Sequence, residues 1–113
     1  MSESKLMNLI ARVTHGVVGL DLYLQGKNKY LDKYLPNFLS LKDEEINDTF
    51  MEYNQSARDV VLSSIKEVKT SITSKMDKAQ TLKLIKELED ILRILYAQSF
   101  HTIILSHKNG GQK

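Results

Sequence analysis

With no cysteine in the chain, its chemistry would have to come from three histidines, fourteen carboxylates and sixteen lysines and arginines. Disulfides, thiolate metal sites and cysteine nucleophiles are thereby excluded. His101 and His107 stand six residues apart and so do not share a helical face, as an i, i+4 metal pair would. Both fall near the end of the last expected helix, where an imidazolium suits the dipole. No serine lies in a nucleophile-elbow context. Asn109-Gly110-Gly111 follows a helix instead of opening one, which makes it a stop signal and not a phosphate loop. The sequence therefore names no catalytic residue, metal ligand or cofactor.

The charges are more informative in their order than in their sum. The net charge is only +2. Residues 41–59 carry Lys42 and Arg58 against Asp43, Glu44, Glu45, Asp48, Glu52 and Asp59. Residues 60–86 carry Lys66, Lys69, Lys75, Lys78, Lys83 and Lys86 against Glu67 and Asp77. The chain is polarised, acid then base. The six lysines surround one expected turn, and a field concentrated there would attract a phosphate backbone through counterion release. The cluster contains no arginine, no interleaved aromatic and no helix-turn-helix pattern, so it implies contact with a DNA or RNA backbone, or with an acidic protein, and not base reading.

Glu44, Asp48 and Glu52 follow at i, i+4 and i+8, and Glu87 and Asp90 at i, i+3. Together they could present oxygen ligands to Mg²⁺. Glu44-Glu45 with Asp48, followed by Glu87 and Asp90, resembles the all-α nucleotide pyrophosphohydrolases, whose motif pairs Glu-Glu-x-x-Glu with Glu-x-x-Asp. That resemblance implies a small Mg-dependent enzyme, here with an aspartate in place of the third glutamate. His15 with Gly19 four residues on resembles the histidine phosphotransfer family, but Val18 stands where that family carries a lysine. His15 is accordingly read as a histidine on an interface.

The elements that would position these residues all read as helices. The first, over residues 4–25, has a seam of Leu6, Ile10, Val13, Val17, Leu20 and Leu24. A second stripe, Met7, Ala11, His15, Val18 and Leu22, lies opposite, and Gly26 ends the helix. Gly16 and Gly19 each cost about 1 kcal/mol against alanine in a helix interior, which close approach of another backbone would offset. A short helix over 28–35, capped by Asn28, is expected to stop at Pro36, leaving Phe38 and Leu39 to tuck into the core. Ser40 is expected to cap a long third helix, with Asp43, Glu44 and Glu45 in its first turn and a seam of Ile46, Phe50, Tyr53, Ala57, Val60, Ser64 and Val68, with Val61, Ile65 and Ile72 alongside. The turn falls at residues 70–74, and Asp77 with Gln80 has the spacing of a capping box.

The last helix, from about Lys78 to His107, is apolar around most of its circumference. Ile85, Leu88, Leu92, Tyr96, Ile103 and His107 form one face, and Leu84, Ile91, Ile94 and Leu105 a second. Such a helix must be covered by others or by a second chain. Its uncharged stretch, residues 94–107, would reach only about 21 Å, short of a bilayer. The N-terminus has no signal-peptide layout, which makes a cytoplasmic location without membrane contact the expectation.

Together these readings predict one all-α domain over residues 1–113, with a frayed tail at 109–113. It is an antiparallel helical bundle of three long helices and one short one, the third and fourth forming a long hairpin. The expected function is binding or scaffolding, with a homo-oligomer or larger complex formed through Met7, Ala11, His15, Val18, Leu22, Ile94 and Leu105. The six lysines are the expected polyanion contact.

Overall fold

The computed structural model describes the backbone of residues 2–27, 31–50, 55–73 and 75–111, and the side chains of 5–27, 33–50, 55–73 and 75–98. The described residues form five helices: α1 (Ser2–Leu24), α2 (Leu31–Leu39), α3 (Asp43–Thr49), α4 (Gln55–Ser71) and α5 (Lys78–Gly111). No strand occurs among them, and the chain is all-α. The expected cap at Asn28, the seam position Tyr53, Glu52, and the side chains of His101, Ile103, Leu105 and His107 lie outside the described residues.

Two faces of α1 are covered, but the second is not the one the apolar pattern picks out. Leu6, Ile10, Val13 and Leu20 are buried in the main core with Leu84, Leu88, Ile91 and Leu95 of α5 and Val61, Ile65 and Val68 of α4. The other covered face runs through Leu9, Arg12, Gly16, Gly19 and Tyr23. Met7 and Ala11 are exposed, and His15, Val18 and Leu22 are half-buried. Glycine reads as a gap in a hydrophobic stripe, yet it is what lets α2 lie close. A Cβ on Gly19 would sit 3.2 Å from both the amide nitrogen and the Cβ of Leu35. One on Gly16 would sit 2.8 Å from the Phe38 ring and 3.0 Å from Leu88 Cδ1. Close approach of a second backbone is thus what offsets the helix cost of Gly19; Gly16 makes room for side chains instead.

Pro36 does not end the second helix. It lies inside α2, which runs on to Leu39. Leu35, Phe38 and Leu39 pack against the core on either side of it, and Phe38 is fully buried. That packing holds helical backbone through a residue that cannot donate to the carbonyl four positions back. The proline itself is exposed.

The expected long third helix is interrupted. Phe50 ends α3, its amide shared between the carbonyls of Ile46 and Asn47, and its side chain is fully buried. Ile46 and Phe50 are buried, and in α4 the expected seam holds in part: Val68 is buried and Ala57 packs against the core, Val60 is exposed, and Val61 and Ile65 beside the seam face inward. Ser40 is not the cap of α3; Lys42 is, its amide donating to Glu45 Oε1 at 3.2 Å. The three acidic residues do occupy the first turn.

Two ends match their local signals. Gly26 is left-handed (φ 77°) and carries a Schellman pair, with Lys27 N donating to Leu22 O at 2.8 Å and Gly26 N to Tyr23 O at 3.0 Å. Asp77 caps α5, accepting from Gln80 N at 2.7 Å. At the far end α5 continues through Asn109 and Gly110 to Gly111, past the expected stop. Glycine lowers helix stability by about 1 kcal/mol without forbidding the conformation.

Candidate functional site

The side chain that does most to fix the α1–α2–α3 corner is Arg12. It lies on the covered face of α1 with its side chain only 13% exposed. Its Nε donates to Asn37 O at 3.0 Å, one terminal nitrogen to Ser40 Oγ at 2.6 Å, and the other to the Glu45 carboxylate. Ser40 Oγ passes the chain on to Asn37 O at 3.2 Å. Alongside, the Asn37 amide donates to His15 Nδ1 at 2.6 Å, and the His15 ring meets Tyr34 edge-on at 5.6 Å. A planar guanidinium with donors in a fixed fork can hold a carbonyl, a hydroxyl and a carboxylate at once, which an ammonium cannot. All these groups are occupied with one another, so the cluster reads as a lock between helices. Glu45 also ties down Lys42 N, which leaves its carboxylate committed.

Two of the six lysines are held by partners. Lys69 Nζ donates to Leu41 O at 2.6 Å and is half-buried, so it closes the α2–α3 connection against α4. Lys66 pairs with Asp43 at 3.1 Å. Lys75, Lys78, Lys83 and Lys86 are exposed and make no ion pair or hydrogen bond through the ammonium among the described residues. Lys78 and Lys86 lie eight residues apart on one face of α5, about 12 Å along the axis. Leu82 stands between them, 45% exposed.

Tertiary structure adds a fifth ammonium. The Tyr23 hydroxyl donates to Met76 O at 3.1 Å and accepts from Met76 N at 3.0 Å, pinning the end of α1 to the α4–α5 connection. Lys27, exposed just beyond the Gly26 cap, therefore belongs to the same end of the molecule as Lys75 and Lys78. Its signal in the sequence is a lysine directly after a helix-ending glycine, which says nothing about what lies opposite. Asp21 and Asp77 flank this end, and each accepts a local hydrogen bond, from Gln25 at 2.8 Å and from Gln80 N at 2.7 Å.

The acidic residues do not gather. Glu44 and Asp48 are exposed, Glu45 is held by Arg12, Glu87 is half-buried, and Asp90 pairs with Arg93 at 2.8 Å. Among the described residues no three histidine, aspartate or glutamate side chains come together as a metal ion would require. Of the expected interface residues, His15 is engaged by Asn37 and Tyr34, Met7 and Ala11 are exposed, and Val18, Leu22 and Ile94 are half-buried; the Leu105 side chain lies outside the described set. Large apolar side chains exposed among the described residues are Met7, Val60, Leu82 and Tyr96. No described helix is long and apolar enough to cross a membrane.

No family model matches the chain, and neither a curated protein nor a solved structure matches it.

Proposed function

We propose that this protein is a non-enzymatic helical binding module whose lysine-rich pole contacts a nucleic-acid backbone. The observation that carries the reading is the set of exposed ammonium groups of Lys75, Lys78, Lys83 and Lys86, which have no partner among the described residues, joined by exposed Lys27. Unpaired lysines condense anions at little desolvation cost, and they make phosphate contacts that position without reading sequence. The pole offers no arginine fork and no stacking ring, so affinity should be independent of base composition.

Fluorescence anisotropy with a labelled DNA duplex between about 50 and 200 mM salt tests this. Binding should weaken linearly on a log–log plot. Reversing Lys75, Lys78 and Lys83 to Glu should weaken it for every duplex alike and flatten the slope by about 0.9 for each phosphate no longer neutralised. Because these side chains are exposed, the reversal should shift stability by no more than about 0.5 kcal/mol. Binding that ignores salt, or survives the triple reversal, overturns the reading. Mg²⁺-dependent release of pyrophosphate from nucleoside triphosphates, lost in Asp48→Ala, would replace it with the pyrophosphohydrolase alternative.

Self-association belongs to the same proposal and is supported by the exposure of Met7 and Tyr96, each 54%. Sedimentation that returns the monomer mass at every concentration removes it.

A further inference from the structure

The lysine-rich pole is assembled from two stretches of chain, and one hydroxyl joins them. Lys27 is tied to the end of α1 by its own amide, which donates to Leu22 O at 2.8 Å. Lys75 and Lys78 stand on either side of Met76, in the stretch that leads into α5 and its first residue. Asp77, between them, accepts from Gln80 N and caps α5. Met76 itself lies outside the helices with its side chain buried. The Tyr23 hydroxyl donates to Met76 O at 3.1 Å and accepts from Met76 N at 3.0 Å, joining residues 53 positions apart. Three ammonium groups of like sign are thereby gathered at one end, and their repulsion works against the clamp. A polyanion lying across them would reverse the sign of that effect.

We propose that one phosphate backbone bridges Lys27 to Lys75 and Lys78, and that Tyr23 is the positioning residue that holds the two halves of this site together. The inference rests on the binding reading above and makes the five lysines unequal, since only Lys27 depends on the clamp for its place. Binding would then close a contact inside the protein. Such coupling is reciprocal: if a closed clamp favours the ligand, the ligand favours a closed clamp by the same factor. The Met76 amide reports the clamp, because it exchanges with solvent when the Tyr23 hydroxyl lets go of it.

Amide exchange of the full chain, resolved by NMR with and without a saturating DNA duplex, tests this. With duplex bound, the Met76 amide should exchange about fivefold more slowly, the low end of ordinary coupling between sites. Lys27→Gln should abolish that slowing while the remaining lysines still bind the duplex, which separates a tightened clamp from simple shielding. In the anisotropy assay, Lys27→Gln should flatten the salt slope by about 0.9 in the wild-type background. It should cost less than half of that in Tyr23→Phe, which removes the hydroxyl without altering any charge. A lysine that merely adds to the field would lose the same slope in both backgrounds. The exchange measurement uses the unsubstituted chain, so it decides the matter even where Tyr23→Phe folds poorly. Equal slope losses, or a Met76 amide indifferent to bound duplex, overturn the inference and leave the binding reading standing. A duplex that does not bind at all overturns both.

Discussion

The corner where α1, α2 and α3 meet and the pole where α1 ends beside the α4–α5 connection are both polar, and they are built in opposite ways. At the corner every charged or polar group that turns inward is answered: Arg12 by three partners, Asn37 by His15, Ser40 by both neighbours. At the pole the ammonium groups stand in water with no partner among the described residues. A saturated network rigidifies and has nothing left to offer a ligand. An unsaturated one contributes little to folding and keeps its charge available. The contrast teaches that charge content alone does not locate function; Lys69 and Lys75 are six residues apart, and one is a strut while the other is free.

If the corner is structural, damage there should appear as reduced stability. The largest effect is expected at the helix crossing. Gly16→Val places methyl groups where Phe38 and Leu88 already sit, and chemical denaturation should show a loss of about 3 kcal/mol. A variant as stable as wild type would mean that the Phe38 ring does not pack against Gly16. Arg12→Ala comes next, at about 2 kcal/mol, because it strands the Asn37 carbonyl and the Glu45 carboxylate together. Arg12→Lys should recover less than half of that, since an ammonium cannot reproduce the fork; full recovery would reduce the lock to a simple ion pair. The smallest effect has the opposite sign. Pro36→Ala restores a backbone donor inside α2, and after allowing for the freer unfolded chain it should gain about 1–2 kcal/mol in the same assay. A loss would show that α2 depends on the proline's fixed φ. None of these variants should alter salt-dependent DNA binding at the pole, and that separation is the sharpest check on the comparison.

Several parts of the fold are legible because their signals are local. Gly26 ends α1 through its own left-handed φ, and Asp77 starts α5 through a bond three residues away. The heptad-like seam of α1 also marks a truly buried face, since Leu6, Ile10, Val13 and Leu20 all enter the core. The misreadings share a cause as well. The stripe Met7, Ala11, His15, Val18 and Leu22 reads as a face for a second copy because its residues are mostly apolar, and the apolar pattern gives no sign of the second face that is covered within the chain. The covered face is instead one of glycines and an arginine, whose burial depends on what arrives from elsewhere in the chain. An arginine between Leu9 and Val13 on a buried face is the available clue, because such a charge requires a partner. On α5 the two apolar faces read from the pattern bracket the real one: Thr81, Leu84, Leu88, Ile91 and Leu95 point inward, and Tyr96 points out.

By itself, then, the sequence determined that this chain is helical, where α1 ends and α5 begins, and that its charge runs from acidic to basic, since each of these follows from residues within a turn or two of one another. Only the tertiary structure decided that α2 continues through Pro36 to lie on Gly19, and that Lys69 is withdrawn from the basic cluster and Lys27 joined to it. These outcomes turn on contacts between residues 16 to 53 positions apart, such as Leu35 on Gly19 and Tyr23 on Met76. Periodicity carries no information about such pairs, because a repeat along one helix does not specify which other helix will meet it.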